Sequence, residues 1–295
     1  MAPADKPSPK RKTMLITGCS AGGVGAALAT ALARDRSHHV FATARTTAKI
    51  PAALAALPNV TVLPLDVASS ASVRACAQQV ARILEAELPG AAGLDVLVNN
   101  AGAGLTMPLL DTDVDEAARL HDVNLWGALR TVQAFADLLI AARGKVVNVS
   151  SVGSVVNMAW NGAYSASKAG LNRVSETLRL ELAPFGVSVL TVMLGGVASV
   201  FIANEAPRPL PPGSRYASIG NAILLWAREK GGLAGMMPPE RLAEELVPDI
   251  LAFGKSGTVW RGSNAGIVRF VAGWLPQAVI DRFMAVGGLD RLAKS

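Results

Sequence analysis

Six short, unbroken apolar stretches follow one another from Thr13 onward, and segments of helix length separate them. Apolar runs of this kind indicate strands that are buried on both faces, and the Ala- and Leu-rich segments between them are typical of helices. The stretches are Thr13–Thr17, His39–Ala44, Val60–Leu65, Leu94–Asn99, Lys145–Ser150 and Val187–Met193. This alternation predicts one α/β domain, a doubly wound parallel sheet with right-handed crossovers and helices on both faces.

The remaining elements are less regular. A last strand is predicted at Thr258–Gly262, and the predicted helices are Ala26–Arg36, Ser69–Leu88, Asp115–Ala142, Gly162–Ala183, Asn221–Lys230 and Glu240–Phe253. We expect a flexible basic arm at 1–12, a catalytic domain at 13–263 and an apolar, helical tail at 264–295. The proline-rich stretch Glu205–Gly213 interrupts the pattern.

Composition excludes several classes of protein. With 295 residues, 51% hydrophobic and 17% charged, the chain can bury a large core and is not expected to be disordered. Its net charge of +6 comes partly from the arm around Lys6–Lys12, and no basic stripe with interleaved aromatics follows, so nucleic-acid binding is not expected. Two cysteines without ligand spacing predict neither disulfides nor a metal site. No secretory signal and no spanning segment is expected, which favours an intracellular setting.

A glycine-rich loop joins the first predicted strand to the first helix. It reads TGCSAGGVG from Thr17 to Gly25. Such a loop lets backbone approach a pyrophosphate, and the N-terminus of the following helix favours its negative charge. The context of strand, loop and helix makes this a dinucleotide-site prediction. The residues expected to contact the cofactor here are Gly18, Ser20, Gly23, Val24 and Gly25.

Open α/β sheets bind ligands at the carboxyl ends of their strands. The residues that follow the next three predicted strands are also suited to bind a dinucleotide there. The second strand ends with Arg45 and no acidic residue nearby, which favours the 2′-phosphate of NADP over the ribose hydroxyls of NAD. The third ends with Asp66 and Val67, where the carboxylate can accept a bond from the adenine amine. The fourth ends in a polar-then-small turn suited to a ribose, at Asn100, Ala101 and Gly102.

Tyr164 and Lys168 lie four residues apart in GAYSASKAG, so they project from one helix face among small residues. An ammonium beside a phenol favours the phenolate, and we expect it to lower the pKa of Tyr164 from its ordinary value of about 10. The pair is therefore predicted to be catalytic.

Together these motifs resemble the short-chain dehydrogenase/reductase family, a Rossmann-type fold, from about Thr13 to Ser199. The glycine loop is one residue longer than that family's TGxxxGxG, which leaves the role of Gly22 open. The resemblance implies that Ser151 orients the substrate carbonyl, with Ser150 as the alternative register, and that Lys168 also bonds the nicotinamide ribose. It implies that Asn124 holds a water in a proton relay through the lysine. The alternative is a buried asparagine that hydrogen-bonds the polar groups at a helix kink.

The turn LGGVAS resembles the family's PGxVxT, with Leu194 at the proline position. The resemblance implies that Val197 offers backbone groups to the nicotinamide carboxamide and that Ser199 supplies the hydroxyl. Loss of the proline is expected to loosen this turn. This turn, MMPPE and VWRGSNAGIVRF also resemble fungal 1-acyl-dihydroxyacetone-phosphate reductases.

That narrower resemblance predicts NADPH-dependent reduction of a lipid-like ketone, 1-acyl-dihydroxyacetone phosphate, to lysophosphatidate. The alternatives are a polycyclic, steroid-like or polyketide substrate and, in another class, an NADP-binding sensor without turnover. A substrate lid is expected at about 200–239, where apolar side chains and scattered cations mix.

The tail at 264–295 has three open interpretations: a peripheral membrane contact, a contact within a homo-oligomer, or a cover over the sheet edge. The first would place the protein on the cytoplasmic side of the endoplasmic reticulum or on lipid droplets.

Overall fold

The computed structural model describes residues 12–205, 208–229 and 235–292. Within these ranges all strands join one parallel sheet in the order β3-β2-β1-β4-β5-β6-β7. The strands are β1 Thr13–Ile16, β2 His39–Ala44, β3 Val60–Pro64, β4 Val96–Asn99, β5 Lys145–Val149, β6 Ser188–Leu194 and β7 Gly257–Arg261. The predicted fold class is confirmed, whereas the arm at 1–12 lies outside the described residues apart from Lys12.

Helices cover both faces of this sheet. They are α1 Val24–Ala33, α2 Ala52–Ala55, α3 Ser70–Glu87, α4 Val114–His121, α5 Gly127–Ala134, α6 Ala136–Ala142, α7 Gly162–Leu182, α8 Val200–Asn204, α9 Gly220–Glu229, α10 Pro239–Leu251, α11 Ala265–Trp274, α12 Gln277–Met284 and α13 Leu289–Leu292. Alternation along β1 shows the two layers, because Met14 and Ile16 join one core cluster and Leu15 joins the other. The first cluster packs on α1 and α10, and the second on α3 and α7.

The predicted long helix Asp115–Ala142 is wrong as a single element. A π-helical turn at Asp122–Trp126 separates α4 from α5, and a break at Phe135 separates α5 from α6. π-turns insert an extra residue into a helix and are frequent at functional sites. This one contains Asn124, which lies beside the carboxyl end of the sheet.

The predicted helical tail forms α11, α12 and α13, and its inner side packs on the domain. Ala265 and Ile280 are buried. Val286 accepts a hydrogen bond from the indole of Trp160 at 2.9 Å, and Leu289 packs in the same apolar cluster as Trp160. The tail is therefore part of the folded domain rather than an appendage.

Candidate active site

The glycine loop forms a cradle that side chains would fill. Gly18 has a φ of +76°, and a Cβ atom there would lie 2.9 Å from the Cα of Ala101. A Cβ atom on Gly25 would lie 2.5 Å from the carbonyl oxygen of Gly18. Both positions therefore require glycine, for conformation at Gly18 and for close packing at Gly25. The tight turn and the close helix packing are what a dinucleotide loop needs.

The additional residue of the loop is absorbed at Gly22. This glycine has a φ of +71°, and a Cβ atom on it would lie 2.7 Å from Val200 at the start of α8. Its carbonyl also accepts a hydrogen bond from the Val200 amide at 3.2 Å. Gly22 thus lets the glycine loop contact the substrate side, which answers the question that the motif left open.

Helix α1 leaves its first amides available for an anion. Its N-cap residue is Gly23, which has no side chain to bond them, and the first turn carries no acidic residue. A helix N-terminus in this state favours phosphate through its dipole and its free N–H groups. The residues present therefore fit the pyrophosphate of a dinucleotide.

Thr17 and Asn100 lock this loop to the end of β4. The Thr17 hydroxyl accepts hydrogen bonds from the amides of Asn100 and Ala101 at 3.0 and 2.9 Å. In return, the Asn100 side chain donates to the carbonyl oxygens of Thr17 and Gly18 at 2.9 and 3.2 Å. These bonds thus hold the ends of β1 and β4 together beneath the glycine loop. The role of the Thr17 hydroxyl in this contact was not predicted from the sequence.

Arg45 is exposed directly after β2, as a contact to the 2′-phosphate would require. Lys49 follows one turn later, also exposed, and its carbonyl accepts a hydrogen bond from the Ala21 amide of the glycine loop at 2.8 Å. Lys49 is a second cation at this edge that the sequence analysis missed, although its spacing of four from Arg45 was visible. Asp66 is half-buried after β3, and Oδ1 accepts from the Ala68 amide at 3.0 Å.

The predicted catalytic residues meet at the end of β5 and the start of α7. The Ser151 hydroxyl and the Tyr164 ring meet at Gly153, where a Cβ atom would lie 3.4 Å from Ser151 Oγ and 3.9 Å from Tyr164 Cε1. Lys168 is 4% exposed and donates to the carbonyl of Val149 at 2.8 Å. Ser150, the alternative register, is buried and donates instead to the Lys168 carbonyl at 3.3 Å. The geometry therefore places Ser151, and not Ser150, at the phenol.

Burial controls the ionisation of this pair. It raises the pKa of Tyr164 to about 12, an effect that the Ser151 hydrogen bond opposes and the Glu205 carboxylate reinforces. It lowers the pKa of Lys168 to about 8. The expected lowering of the tyrosine pKa by the lysine is wrong for this structure, because loss of water around the phenolate raises that pKa and Lys168 is not among the groups that shift it. Tyr164 is thus protonated at neutral pH, as a proton donor must be.

Asn124 in the π-turn has a fully used side chain. It is 2% exposed, accepts from the Ala103 amide at 2.8 Å, and donates to the Ala103 carbonyl and to the Ser167 hydroxyl at 2.9 and 3.0 Å. It therefore ties the loop after β4 to the catalytic helix. A Cβ atom on Gly102 would lie 3.2 Å from Asn124 Oδ1 and 3.6 Å from Lys168 Nζ, so only glycine leaves that corner open.

The loop after β6 is held from two directions by segments distant in sequence. The amides of Gly195 and Gly196 donate to the carbonyls of Arg261 and Ser263, each at 2.9 Å, and Ala198 donates to Met237 at 3.0 Å. These bonds constrain the turn in which Leu194 takes the proline position, and the expected effect of losing that proline stays a prediction. Val197 is buried, and Ser199 donates its amide to the Val197 carbonyl at 2.9 Å.

Trp160 is a further residue beside the site that no motif in the sequence reveals. It precedes α7 with a φ of +68°, a conformation that is costly for a bulky residue. Its carbonyl accepts a hydrogen bond from Met107 at 2.8 Å, and its ring contacts Tyr216 with centroids 5.2 Å apart. Trp160 thus joins the start of the catalytic helix to the substrate segment and, through Val286, to the tail.

The family model described as short chain dehydrogenase matches residues 12–209. The chain belongs to this family. The family expected from the motifs is confirmed, and this dehydrogenase is an oxidoreductase.

Similar proteins agree with the assignment. The dehydrogenase is 43% identical over 272 residues to the short-chain dehydrogenase ptmH of Penicillium ochrochloron, covering 92% of this chain and 96% of that one. It is 36% identical over 248 residues to an NADPH-dependent 1-acyldihydroxyacetone phosphate reductase of Schizosaccharomyces pombe, covering 83% and 80%. A crystal structure of a short-chain dehydrogenase from Streptomyces avermitilis superimposes with a TM-score of 0.74 at 27% identity, covering 97% and 98%.

Proposed function

We propose that this dehydrogenase uses NADPH to reduce a ketone to a secondary alcohol. The observation that carries the proposal is that Ser151 and Tyr164 lie together at Gly153, while the ammonium of Lys168, one helical turn after Tyr164, lies beside Gly102. NADPH supplies the hydride that the carbonyl carbon receives. A nearby hydroxyl pair and a buried ammonium are what the developing oxyanion then needs.

The chain's own residues handle the carbonyl oxygen. Tyr164, protonated at neutral pH, donates its proton to the oxygen as the new C–H bond forms. Ser151 bonds the same oxygen and fixes its distance from the phenol. Lys168 resupplies the proton to the tyrosine and bonds the ribose of the cofactor, while Asn124 holds the loop that borders the site.

Cofactor choice follows from charge. Arg45 and Lys49 are exposed beside the glycine loop, and a guanidinium can form a bidentate, charge-assisted pair with a 2′-phosphate. The S. pombe relative is also NADPH-dependent by name.

We expect Arg45→Ala to weaken NADPH binding roughly 10- to 100-fold, since bonds to charged groups contribute about 1.5–3 kcal/mol, while NADH binding stays unchanged. Fluorescence titration of both cofactors measures this, with Arg82→Ala, an exposed arginine on α3, as the matched control. Equal catalytic efficiency with NADH and NADPH in the unmodified protein would contradict the assignment.

Two substrate classes have separate support. The S. pombe relative supports 1-acyl-dihydroxyacetone phosphate. A polycyclic, steroid-like or polyketide-type ketone is the second candidate, favoured by the Phe201 ring, whose centroid lies 5.8 Å from that of Tyr164. The bonded set of serine, tyrosine, lysine and asparagine argues against a sensor, which has no use for a proton donor.

NADPH oxidation across a panel with the acyl phosphate, diacetyl and a steroid ketone tests the function. No turnover of any member would count against it.

We also propose that the tail attaches the protein peripherally to anionic membranes. Its large apolar side chains face solvent, and we call them the tail patch: Ile267, Phe270, Trp274, Val279 and Phe283. In the described part of the chain no single helix is long and apolar enough to cross a bilayer, although Val114–Ala134 and Ala136–Ala142 meet the criteria as a bent pair. A concentration of exposed large apolar side chains on two neighbouring helices favours an interaction site there.

Charge favours a bilayer over a second copy of the chain. Arg269 and Arg282 are exposed on the same two helices, where Asp281 is the acidic residue. A two-fold contact through the tail patch would bring like charges together, whereas anionic head groups complement them. A membrane contact would also concentrate an apolar ketone near the site.

We expect the double variant Phe270→Ser with Trp274→Ser to lose most binding to phosphatidylserine vesicles in sedimentation at low salt. The two side chains are 60% and 78% exposed, so the fold should be kept. Phe185→Ser is the control, because Phe185 is also exposed but does not belong to the tail patch. If the unmodified protein stays in the supernatant and instead elutes as a dimer that the double variant dissociates, the tail patch is a subunit contact.

A further inference from the structure

A cleft of about 560 Å³ lies between the catalytic helix α7 and the tail helix α12. This volume is within the range of roughly 300–1,000 Å³ that is usual for sites that bind small molecules. Its lining comes from the loop after β5, the start of α7, and the tail helices α12 and α13. Of the residues that the structure describes in 200–239, none lines it. The cleft is therefore separate from the segment in which a substrate lid is expected.

The inner end of the cleft reaches the catalytic pair at Gly153. This glycine is buried and lines the cleft, and a Cβ atom on it would contact Ser151 Oγ and Tyr164 Cε1 at 3.4 and 3.9 Å. Those are ordinary contact distances, and its φ is not in the left-handed region, so the fold does not require glycine here. The missing side chain therefore leaves space between the catalytic pair and the cleft.

A hydroxyl without a partner lies at the same junction. Ser165 Oγ lines the cleft and would lie 3.7 Å from a Cβ atom on Gly153. It is buried and has no hydrogen-bond partner within the part of the chain that the structure describes. Buried hydroxyls are usually bonded, so a group from outside the chain is expected to complete this end of the cleft.

The rest of the lining is apolar and adaptable. Met158, Met284 and Leu289 supply apolar surface, and methionine side chains fit irregular shapes well. Among the described residues that line the cleft, Asp281 is the charged one, and it is exposed. A hydrocarbon group is therefore favoured in the cleft, whereas a phosphate would find no described cation among the lining residues.

Two hydrogen bonds hold the tail across the loop after β5. The amide of Ala159 donates to the carbonyl of Met284 at 3.4 Å, and the indole of Trp160 donates to the carbonyl of Val286 at 2.9 Å. Helix α12 also carries Val279 and Phe283 of the tail patch. One helix thus supplies apolar side chains both to the cleft and to the exposed tail patch.

We propose that this cleft binds an apolar flank of the ketone substrate. The carbonyl oxygen lies at Ser151 and Tyr164, and the flank passes Gly153 and runs between α7 and α12. The substrate class is then a ketone with an extended hydrocarbon chain or ring system on one side of the carbonyl, and any anionic group lies on the other side. This inference rests on the proposed function, because it assumes that Tyr164 bonds the reacting oxygen.

Straight-chain methyl ketones from 2-butanone to 2-decanone test the inference. We expect kcat/KM to rise up to about fourfold per added methylene, the fold-change that corresponds to about 0.8 kcal/mol per buried CH₂. Ala169→Phe places a ring in the cleft from an exposed position on α7, and it should lower the ratio of 2-decanone to 2-butanone about tenfold or more. Ala86→Phe, at an exposed alanine on α3, is the matched control and should keep the ratio.

Gly153→Ala obstructs the cleft from its inner end and should also lower that ratio, since its Cβ atom fits the fold at ordinary contact distances. The ring ketone 2-decalone, which has as many carbons as 2-decanone, is measured beside it. Sensitivity of either ketone to Ala169→Phe supports the inference and assigns the flank as a chain or as rings.

A second measurement does not depend on turnover. In calorimetric titrations of the protein–NADP⁺ complex with 2-decanone and 2-decalone, Ala169→Phe should raise the dissociation constant of at least one ketone about tenfold or more, and Ala86→Phe should not. If the unmodified enzyme reduces no ketone of the wider panel, the proposed function fails and these constants still decide the inference. Absence of binding, or constants for both ketones that Ala169→Phe leaves unchanged, overturns it.

Discussion

Replacing Tyr164 by phenylalanine is expected to reduce ketone reduction by about 10²- to 10⁴-fold, the usual contribution of a general acid. Only the hydroxyl is removed, and the ring keeps its contact with Phe201. NADPH binding should therefore stay within about twofold of the unmodified protein, because the lost group faces the substrate rather than the cofactor phosphates. Single-turnover NADPH oxidation and a cofactor titration measure the two effects.

The chain offers a matched control, since Tyr216 is its other tyrosine. Tyr216 lies edge-on to Trp160 in the substrate segment. Tyr216→Phe should keep most of the rate. Retention of more than about a tenth of the rate by Tyr164→Phe would remove the tyrosine from the role of proton donor, since a general acid contributes more than that.

Lys168→Ala should impair both proton transfer and cofactor binding, because a buried charged donor is lost from both. We expect kcat to fall roughly a hundredfold and NADPH binding to weaken roughly tenfold. The ammonium carries a proton below its pKa of about 8 and is neutral above it. For the unmodified protein, kcat/KM for NADPH should therefore be level below about pH 8 and fall as the pH rises through that value. The quantity kcat/KM reports the pKa of the free enzyme, so the comparison is direct.

Lys168→Arg stays charged at all these pH values. It therefore separates the effect of losing the charge from the effect of changing the side chain. It should abolish the fall near pH 8 even if its activity is low. A pH profile for the unmodified enzyme that stays level to pH 10 would show that Lys168 does not titrate in the working range. Unchanged cofactor affinity in Lys168→Ala would remove its contact with the ribose while leaving its role at the tyrosine.

The parts of the site that the sequence predicts are those built by short segments. Tyr164 and Lys168 follow from helical spacing, and Gly18 and Gly25 from a strand–loop–helix pattern. In each case the local backbone places the residues, so neighbours in sequence suffice. The strand bounds were predicted within about two residues for the same reason, which is usual for apolar runs.

The missed parts depend on contacts between distant segments. Nothing near Glu205 or Phe201 in sequence shows that α8 packs on Tyr164. The rise in the tyrosine pKa could not be foreseen either, because burial is a property of the whole fold. The π-turn at Asn124 interrupts a stretch with unbroken helical composition, and the Asn124 side chain within it bonds Ala103 and Ser167, which are distant in sequence.

The bonds that hold the loop after β6 bear on the order in which the protein becomes competent during synthesis. Every predicted catalytic residue has been synthesised once residue 168 is added, yet the loop waits for Met237, Arg261 and Ser263. The β7 strand, which pairs with β6, is also the last to be made. A nascent chain can thus contain its tyrosine, serine and lysine early while the loop after β6, which the family resemblance assigns to the nicotinamide, stays unfinished. Cofactor binding by released chains of increasing length should accordingly begin only beyond residue 263.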